Sequence, residues 1–176
     1  MLTHPSEGTA PSRSADGTWH LSFTLNGERV ETEVPPTTTL LDVLRLHLGR
    51  TGSKGACLEG ECGSCTVLVN GVPQNSCLIL APQAEGTDIT SVEGLATGDT
   101  LDSVQQAFLD CGAVQCGYCT PGLLIAARAF IDSCDHVPSV DEVRRGMEGN
   151  ICRCTGYMKV IDAVITAALV DQQEGR

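Results

Sequence analysis

The sequence predicts an α+β protein, with strands in its first half and helices in its second half. Between Trp19 and Val34 apolar residues alternate with polar ones, whereas from Leu101 onward they recur every three or four positions. Eight of the ten cysteines agree with this division, because they form two groups of four, one group in each half. We therefore predict a disordered tail at residues 1–17 and two small domains, at residues 18–96 and residues 97–176.

The first domain is predicted to begin with a β-hairpin. An Asn-Gly dipeptide at residues 26 and 27 forms its turn, and counting outwards from that turn pairs Phe23 with Val30. One face of the hairpin is apolar, which indicates that it covers a core. A short helix follows, capped by Thr38 or Thr39, and its apolar stripe consists of Leu40, Leu41, Val43, Leu44 and Leu48.

The segment at residues 51–65 is rich in glycine and contains three cysteines, which is typical of a loop that wraps closely around a bound object. With one later cysteine the segment reads C-x4-C-x2-C-x11-C, the ligand spacing of a plant-type 2Fe-2S cluster. The four predicted ligands are Cys57, Cys62, Cys65 and Cys77. Zinc or disulfides fit this asymmetric spacing poorly, because zinc sites usually present paired C-x2-C knuckles. The chain is therefore predicted to carry electrons.

The gap of eleven residues before Cys77 is predicted to be a second hairpin. An Asn-Gly turn at residues 70 and 71 sets Cys65 opposite Ser76, so that Cys77 returns beside the other three ligands. Pro73 lacks the donor for a ladder hydrogen bond, and its arm should therefore be an edge strand.

After one further strand at residues 88–93, four helices are predicted. The second of them has Thr120 as its cap and Pro121 in its first turn. The third begins with a capping box formed by Ser139 and Glu142. Their apolar stripes contain Val104 and Phe108, Leu123 and Ala127, Val143 and Met147, and Ile161 and Val164.

The second group of cysteines consists of two tight pairs, Cys116, Cys119, Cys152 and Cys154. Four such thiols can hold a second cluster or a structural zinc ion. The plant-type spacing also runs from Cys111 to Cys119, with Cys134 as a fourth ligand, so spacing alone leaves the choice open. Helix polarity favours the two pairs: Cys119 and Cys154 precede helix starts, where the helix dipole favours an anion, whereas Cys111 and Cys134 follow helix ends.

Composition excludes several functions. The chain has 22 acidic and 11 basic residues, and its net charge of -11 argues against a nucleic-acid or anionic-membrane partner. No stretch approaches the about 18 apolar residues of a membrane span, and the start lacks an export signal. The C-x2-C and C-x-C pairs are also poor partners for disulfides, so a reducing, cytoplasmic compartment is expected. The net charge thus leaves a protein as the expected docking partner, and because no dinucleotide fingerprint, P-loop or nucleophile elbow is present, we expect no substrate site in this chain.

Three motifs carry a family resemblance: SKGACLEGECGSCTVLVNG, then VQCGYCTPG, then GNICRCTGY. In this order and spacing, over residues 19–168, the chain resembles the iron-sulfur subunit of the molybdenum hydroxylases, the family of xanthine dehydrogenase, aldehyde oxidase and carbon monoxide dehydrogenase. The resemblance implies an N-terminal ferredoxin-like β-grasp domain followed by a C-terminal four-helix-bundle domain, each holding one 2Fe-2S cluster. One departure is Ala56, where the family commonly has glycine before the first ligand.

The resemblance also implies partners. Such a subunit is non-catalytic and relays electrons from a large molybdenum-pterin subunit to a medium FAD subunit or another acceptor. Molybdopterin, in its cytosine dinucleotide form, and FAD would belong to those subunits of a hetero-oligomer, for which a dimer of heterotrimers is one assembly. The cluster of the second cysteine group would lie nearest the pterin, and Gln115 and Cys154 resemble the positions that touch the pterin. Substrate and final acceptor would be set elsewhere.

Two other functions are compatible with parts of this pattern. A free-standing two-cluster ferredoxin would be a monomer with polar surface around both clusters, whereas a subunit should expose apolar patches when isolated. A zinc-stapled interaction module would have no redox activity.

Overall fold

The computed structural model describes residues 11–175. Its strands are β1 (Ser12–Arg13), β2 (Trp19–Leu25), β3 (Glu28–Val34), β4 (Thr66–Val69), β5 (Val72–Asn75) and β6 (Asp88–Thr90). Its helices are α1 (Leu40–Asp42, continued by a π-helical turn at Val43–His47), α2 (Ser103–Asp110), α3 (Thr120–Asp132), α4 (Val140–Gly146) and α5 (Met158–Glu174), with 3-10 turns at Ala81–Ala84 and Val92–Gly94. Helices α2 to α5 all follow β6, so the predicted change from strands to helices is confirmed.

The sheet is built around β2. This strand pairs along its full length with β3 and at its two ends with β1 and β6, and only the pairing with β6 is parallel. From β6 the sheet continues to β4 and then to β5, which lies at the edge. The predicted edge position of β5 is therefore confirmed, and its Pro73 lies opposite Leu68.

Both predicted hairpins form with the predicted registers. Phe23 lies opposite Val30, and the Ser76 amide donates a 3.4 Å hydrogen bond to the Cys65 carbonyl. The two Asn-Gly turns have φ values of 52° and 82° in the first hairpin and 51° and 78° in the second. Positive φ at both central residues is what a two-residue type I′ turn requires. The second hairpin thus returns Cys77 to the segment that holds the other three cysteines.

Each half of the chain has its own apolar core. The strand-rich half buries Leu21, Phe23 and Leu25 of β2 with residues of α1, β4 and β6. The helical half packs all four later helices around buried residues that include Val104, Phe108, Leu123, Val143, Val160 and Val164. Leu41, Cys65 and Cys77 form a separate small buried cluster. Within the described range, no helix combines the length and apolarity needed to cross a membrane.

Three details differ from the sequence predictions. The strand predicted at residues 88–93 ends at Thr90, and a 3-10 turn follows at Val92–Gly94. The tail predicted at residues 1–17 extends too far, because Ser12 and Arg13 pair with β2 as β1. A turn held by Asp16, whose carboxylate accepts hydrogen bonds from Thr18, makes this return possible, while residues 1–10 lie outside the described residues. The cap of α3 is Cys119 rather than Thr120, which is already helical. By contrast, α1 is capped by Thr39 as one of the two predicted candidates.

Candidate metal centres

The first predicted ligand set, called the N-terminal site here, comprises Cys57, Cys62, Cys65 and Cys77. Three of these cysteines lie in an irregular loop between α1 and β4, and the β4–β5 hairpin brings the fourth beside Cys65. The hairpin end is fixed by Ser76, whose hydroxyl donates a 2.7 Å hydrogen bond to the Cys65 carbonyl. Cys62 lies within hydrogen-bonding reach of the Cys57 sulfur, and Cys65 within reach of Cys77. The structure thus brings the four thiols together as two pairs.

The backbone of this loop is held in an uncommon conformation. Gly60 and Gly63 have positive φ values, and Leu58 has a φ of 60°. Leu58 is also 61% exposed. The Asn75 side-chain amide donates a 2.6 Å hydrogen bond to the Gly60 carbonyl and ties the loop to β5. Ala56 does not share the positive φ, so the departure noted at this position does not strain the backbone. The non-glycine residue of this loop that adopts a left-handed conformation is Leu58.

The second predicted set, called the C-terminal site here, comprises Cys116, Cys119, Cys152 and Cys154. The sulfur atoms of Cys116 and Cys154 lie 3.6 Å apart, and Cys119 lies within hydrogen-bonding reach of Cys152. Cys119 caps α3, and Cys152 lies six residues before the start of α5. Here too the structure forms two pairs of thiols, and the two members of each pair lie more than thirty residues apart in the sequence.

Hydrogen bonds from neighbouring residues converge on Cys152. The Thr155 hydroxyl donates to the Cys152 sulfur at 3.1 Å, and the Thr155 amide does so at 3.4 Å. The Cys152 amide donates to the Tyr157 phenol oxygen at 2.7 Å. Burial opposes ionisation of this thiol, yet the hydrogen bonds from Thr155 lower the pKa of Cys152 below its usual value. The surroundings therefore favour a thiolate at this position.

In each site, one thiol has a lowered pKa and another has a raised pKa. In the N-terminal site, the Glu59 amide and the Cys62 thiol lower the pKa of Cys57 to about 6, whereas burial and the neighbouring Cys65 raise the pKa of Cys77 to about 11. In the C-terminal site, burial and Cys152 raise the pKa of Cys119 to about 12. Four thiols at such close quarters resist becoming four thiolates because like charges repel. A bound cationic group removes that repulsion.

The pairing of the thiols fits a two-metal group. A metal with tetrahedral bonds of ~2.3 Å places two sulfur ligands ~3.8 Å apart, close to the 3.6 Å between Cys116 and Cys154. A 2Fe-2S cluster needs two thiolates on each of two irons, and each site offers two pairs. The donor sets therefore suit such a cluster.

The two remaining cysteines lie elsewhere. Cys111 follows α2 and its sulfur lies 3.8 Å from the Thr166 hydroxyl, while Cys134 follows α3 and donates to the Phe130 carbonyl at 3.3 Å. Both positions at helix ends agree with the sequence analysis. Gln115 is exposed beside Cys116, and Cys154 is exposed as well. Both side chains are therefore accessible on the surface of the chain.

Sequence reasoning missed the residues that join the two sites. Asn150 donates a 3.0 Å hydrogen bond to the Gly63 carbonyl, and the Ile151 amide donates to the Cys62 carbonyl at 2.9 Å. The Tyr118 hydroxyl donates to the Gly55 carbonyl at 2.6 Å. These three residues lie within two positions of predicted ligands of the C-terminal site, and that proximity was the available signal. Their partners, however, are backbone carbonyls, which no side-chain pattern reveals.

Two family models match the chain. A model described as a 2Fe-2S iron-sulfur cluster binding domain matches residues 23–96, and one described as a 2Fe-2S binding domain matches residues 91–165. The chain is 46% identical over 144 residues to the nicotinate dehydrogenase small FeS subunit of Eubacterium barkeri, covering 82% of this chain and 91% of that one. It is also 46% identical over 146 residues to the xanthine dehydrogenase iron-sulfur-binding subunit of Escherichia coli O157:H7, with coverage of 82% and 91%.

Solved structures also share this fold. A chain of quinoline 2-oxidoreductase from Pseudomonas putida 86 superposes with a TM-score of 0.85 at 45% identity, covering 90% of this chain and 98% of that one. The aldehyde oxidoreductase from Desulfovibrio desulfuricans superposes with a TM-score of 0.83 at 39% identity and covers 88% of this chain. Only 17% of that longer chain is matched, so the same fold also occurs there as part of a larger polypeptide.

Proposed function

Because this chain belongs to the family of 2Fe-2S subunits of the molybdenum hydroxylases, we propose that it relays electrons between a molybdenum-pterin site and an acceptor in partner subunits. It is a non-catalytic subunit of an oxidoreductase, since its relatives are iron-sulfur subunits of dehydrogenases. The observation that carries the proposal is the gathering of eight cysteines into two sites of two pairs each. A relay needs two such sites close together, and hydrogen bonds join their loops directly.

The proposal assigns a ligand set to each site. Cys57, Cys62, Cys65 and Cys77 would hold one 2Fe-2S cluster, and Cys116, Cys119, Cys152 and Cys154 would hold the other. Such a cluster supplies one-electron transfer. The chain's own residues position the thiols: Ser76 and Asn75 fix the N-terminal loop, and Thr155 and Tyr157 fix Cys152. We further propose that the strand-rich half, which starts with β1, is a ferredoxin-like β-grasp domain at residues 12–96, and that the helical half is a four-helix bundle at residues 97–176.

The surface around the sites supports a subunit rather than a free-standing ferredoxin. Leu58 and Leu78 beside the N-terminal site are each 61% exposed, and Ile151 and Met158 near the C-terminal site are 56% and 59% exposed. Large exposed apolar side chains at both sites are expected where partner proteins cover them. We propose that the C-terminal site faces the large molybdenum-pterin subunit, because Cys116 and Cys154 are exposed there, and that the N-terminal site faces the acceptor.

The finer assignments of partners follow from this orientation. Gln115 and Cys154 would contact the pterin, in its cytosine dinucleotide form, from this subunit. A medium subunit with FAD would receive the electrons, and the assembly would be a hetero-oligomer such as a dimer of heterotrimers. These assignments concern cofactors of partner subunits, and the exposure of Gln115 and Cys154 is the support that this chain offers.

A pair of cysteine variants tests the ligand assignment. Cys119→Ser should abolish one of two electron paramagnetic resonance signals of the reduced, assembled enzyme and lower its iron content by about two atoms per chain, since one 2Fe-2S cluster is lost. Cys134→Ser is the matched control, because it makes the same chemical change at a thiol outside both sites. It should keep both signals. Loss of a signal in Cys134→Ser, or two intact signals in Cys119→Ser, would show that the ligands are assigned wrongly.

A further inference from the structure

The loop of the N-terminal site is held at both ends by residues from the helical half. At its start, the Tyr118 hydroxyl donates to the Gly55 carbonyl at 2.6 Å. At its far end, the Ile151 amide binds the Cys62 carbonyl at 2.9 Å and the Asn150 side chain binds the Gly63 carbonyl at 3.0 Å. The segment that contains two N-terminal ligands is therefore clamped against the C-terminal site.

Tyr118 is the unusual member of this clamp. It lies between Cys116 and Cys119, two ligands proposed for the C-terminal site, yet its phenol reaches the loop of the other site, 63 residues earlier in the chain. Among the residues that the structure describes, Tyr118 is the one donor to the Gly55 carbonyl. Tyr118 is 47% exposed, so the need to satisfy a buried hydroxyl does not explain this hydrogen bond. A phenylalanine could fill the same space without making it.

We propose that Tyr118 is a positioning residue for the N-terminal site, although it belongs by sequence to the C-terminal site. This inference rests on the proposed function, because it concerns the redox behaviour of the proposed clusters. The Tyr118 hydroxyl fixes the Gly55 carbonyl, two residues before Cys57, and thereby sets the polar surroundings of the N-terminal ligands. The two sites are thus coupled through a side chain that ligates neither.

Loss of the hydroxyl has two physical effects on the N-terminal loop. The Gly55 carbonyl loses a donor, so its oxygen bears more uncompensated negative charge beside a site that already holds thiolates. Water can replace the donor at an exposed position, but water cannot tie the loop to the segment that precedes α3. The uncompensated carbonyl oxygen disfavours an added electron at the N-terminal site, and the untied loop no longer holds the backbone before Cys57 in place; hydrogen bonds around a cluster are recognised determinants of its potential.

The experiment compares the two tyrosines of the chain. Tyr118→Phe and Tyr157→Phe make the same chemical change, but the Tyr157 phenol contacts the amide of Cys152 in the C-terminal site. A potentiometric redox titration of the assembled enzyme is followed by electron paramagnetic resonance at both sites. The signal that Cys119→Ser abolishes is assigned to the C-terminal site. Tyr118→Phe should lower the potential of the N-terminal site and shift the electron partition between the sites about three- to tenfold, where tenfold corresponds to ~59 mV for one electron.

The outcomes separate this inference from the proposed function. In Tyr118→Phe the N-terminal shift should exceed the C-terminal shift, and in Tyr157→Phe the order should be reversed. Hydrogen exchange of the amides at residues 55–58 should also quicken in Tyr118→Phe alone. An unchanged N-terminal potential in Tyr118→Phe, or an equal shift in Tyr157→Phe, would overturn the inference while leaving the relay function intact. A wild-type complex without two signals would instead refute the proposed function.

Discussion

Replacing Gly122 by alanine sets helix propensity against packing. Gly122 is the third residue of α3, where alanine is intrinsically favoured by ~1 kcal/mol. A Cβ atom at this position, however, would overlap the Gly63 carbonyl oxygen and lie 3.0 Å from its carbon and 3.1 Å from the Ser64 Cα atom. All of these are backbone atoms of the N-terminal site loop, so no side chain can rotate out of the way.

The magnitude follows from the contacts around Gly63. Helix α3 and the loop would have to separate by ~1 Å to restore van der Waals contact. Because Gly63 also accepts the 3.0 Å hydrogen bond from Asn150, the same movement would stretch that bond beyond useful length. Overpacking costs ~1–3 kcal/mol and a weakened hydrogen bond ~1 kcal/mol, which together exceed the gain in propensity. We expect Gly122→Ala to destabilise the protein by ~2 kcal/mol.

Urea unfolding of the chain, followed by far-UV circular dichroism, measures the effect. With slopes of ~1–3 kcal/mol/M, the midpoint should fall by roughly 1 M, and the electron paramagnetic resonance signal of the N-terminal site should change shape. Gly146→Ala is the control, because its Cβ atom would overlap the ring of Phe130, a side chain of the helical half, rather than the backbone of the N-terminal site loop. It should leave that signal unchanged. A midpoint equal to or above that of wild type in Gly122→Ala would mean that propensity prevails and would refute the packing argument.

Two further predictions concern a buried ion pair and the exposed glutamine. Arg128→Ala should destabilise the chain by ~3–5 kcal/mol in the same unfolding assay, because Asp171, 4% exposed, would lose the cation that lies 2.7 Å away. Arg144→Ala, at an exposed pair, should cost less than ~1 kcal/mol, and equal losses in both variants would contradict the argument. Gln115→Ala should keep both clusters but slow their reduction by the substrate of the complex in stopped-flow measurements, and an unchanged rate would remove its proposed contact with the pterin.

Local features of the chain were predictable because their causes lie within a few residues. The two Asn-Gly turns fixed the registers of both hairpins, since a two-residue turn leaves one way to pair the flanking strands. The capping box of Ser139 and Glu142 marked the start of α4, and both of its hydrogen bonds are present. The N-cap of α3 was misplaced by one residue because Cys119 caps with its backbone alone and gives no side-chain signal.

The candidate sites were predictable to the same extent. Cysteine spacing reports the ligand set of the N-terminal site because three of its members share one loop and the fourth returns through a hairpin. For the C-terminal site, spacing left Cys111 and Cys134 as alternatives, and helix polarity was needed to choose between them. The structure places those two thiols against Thr166 and Phe130.

By itself, the sequence determined that eight thiols are available in two groups, and that strands precede helices, because spacing and periodicity are properties of neighbouring residues. Only the tertiary structure decided how the groups meet. Asn150 and Gly63 are 87 residues apart, and α3 approaches the N-terminal loop where Gly122 lacks the Cβ atom that would overlap the Gly63 carbonyl oxygen. In one contact a side chain binds a backbone carbonyl, and in the other a glycine without a Cβ atom leaves room for one. Because every residue type has a backbone carbonyl, no sequence pattern predicts these contacts.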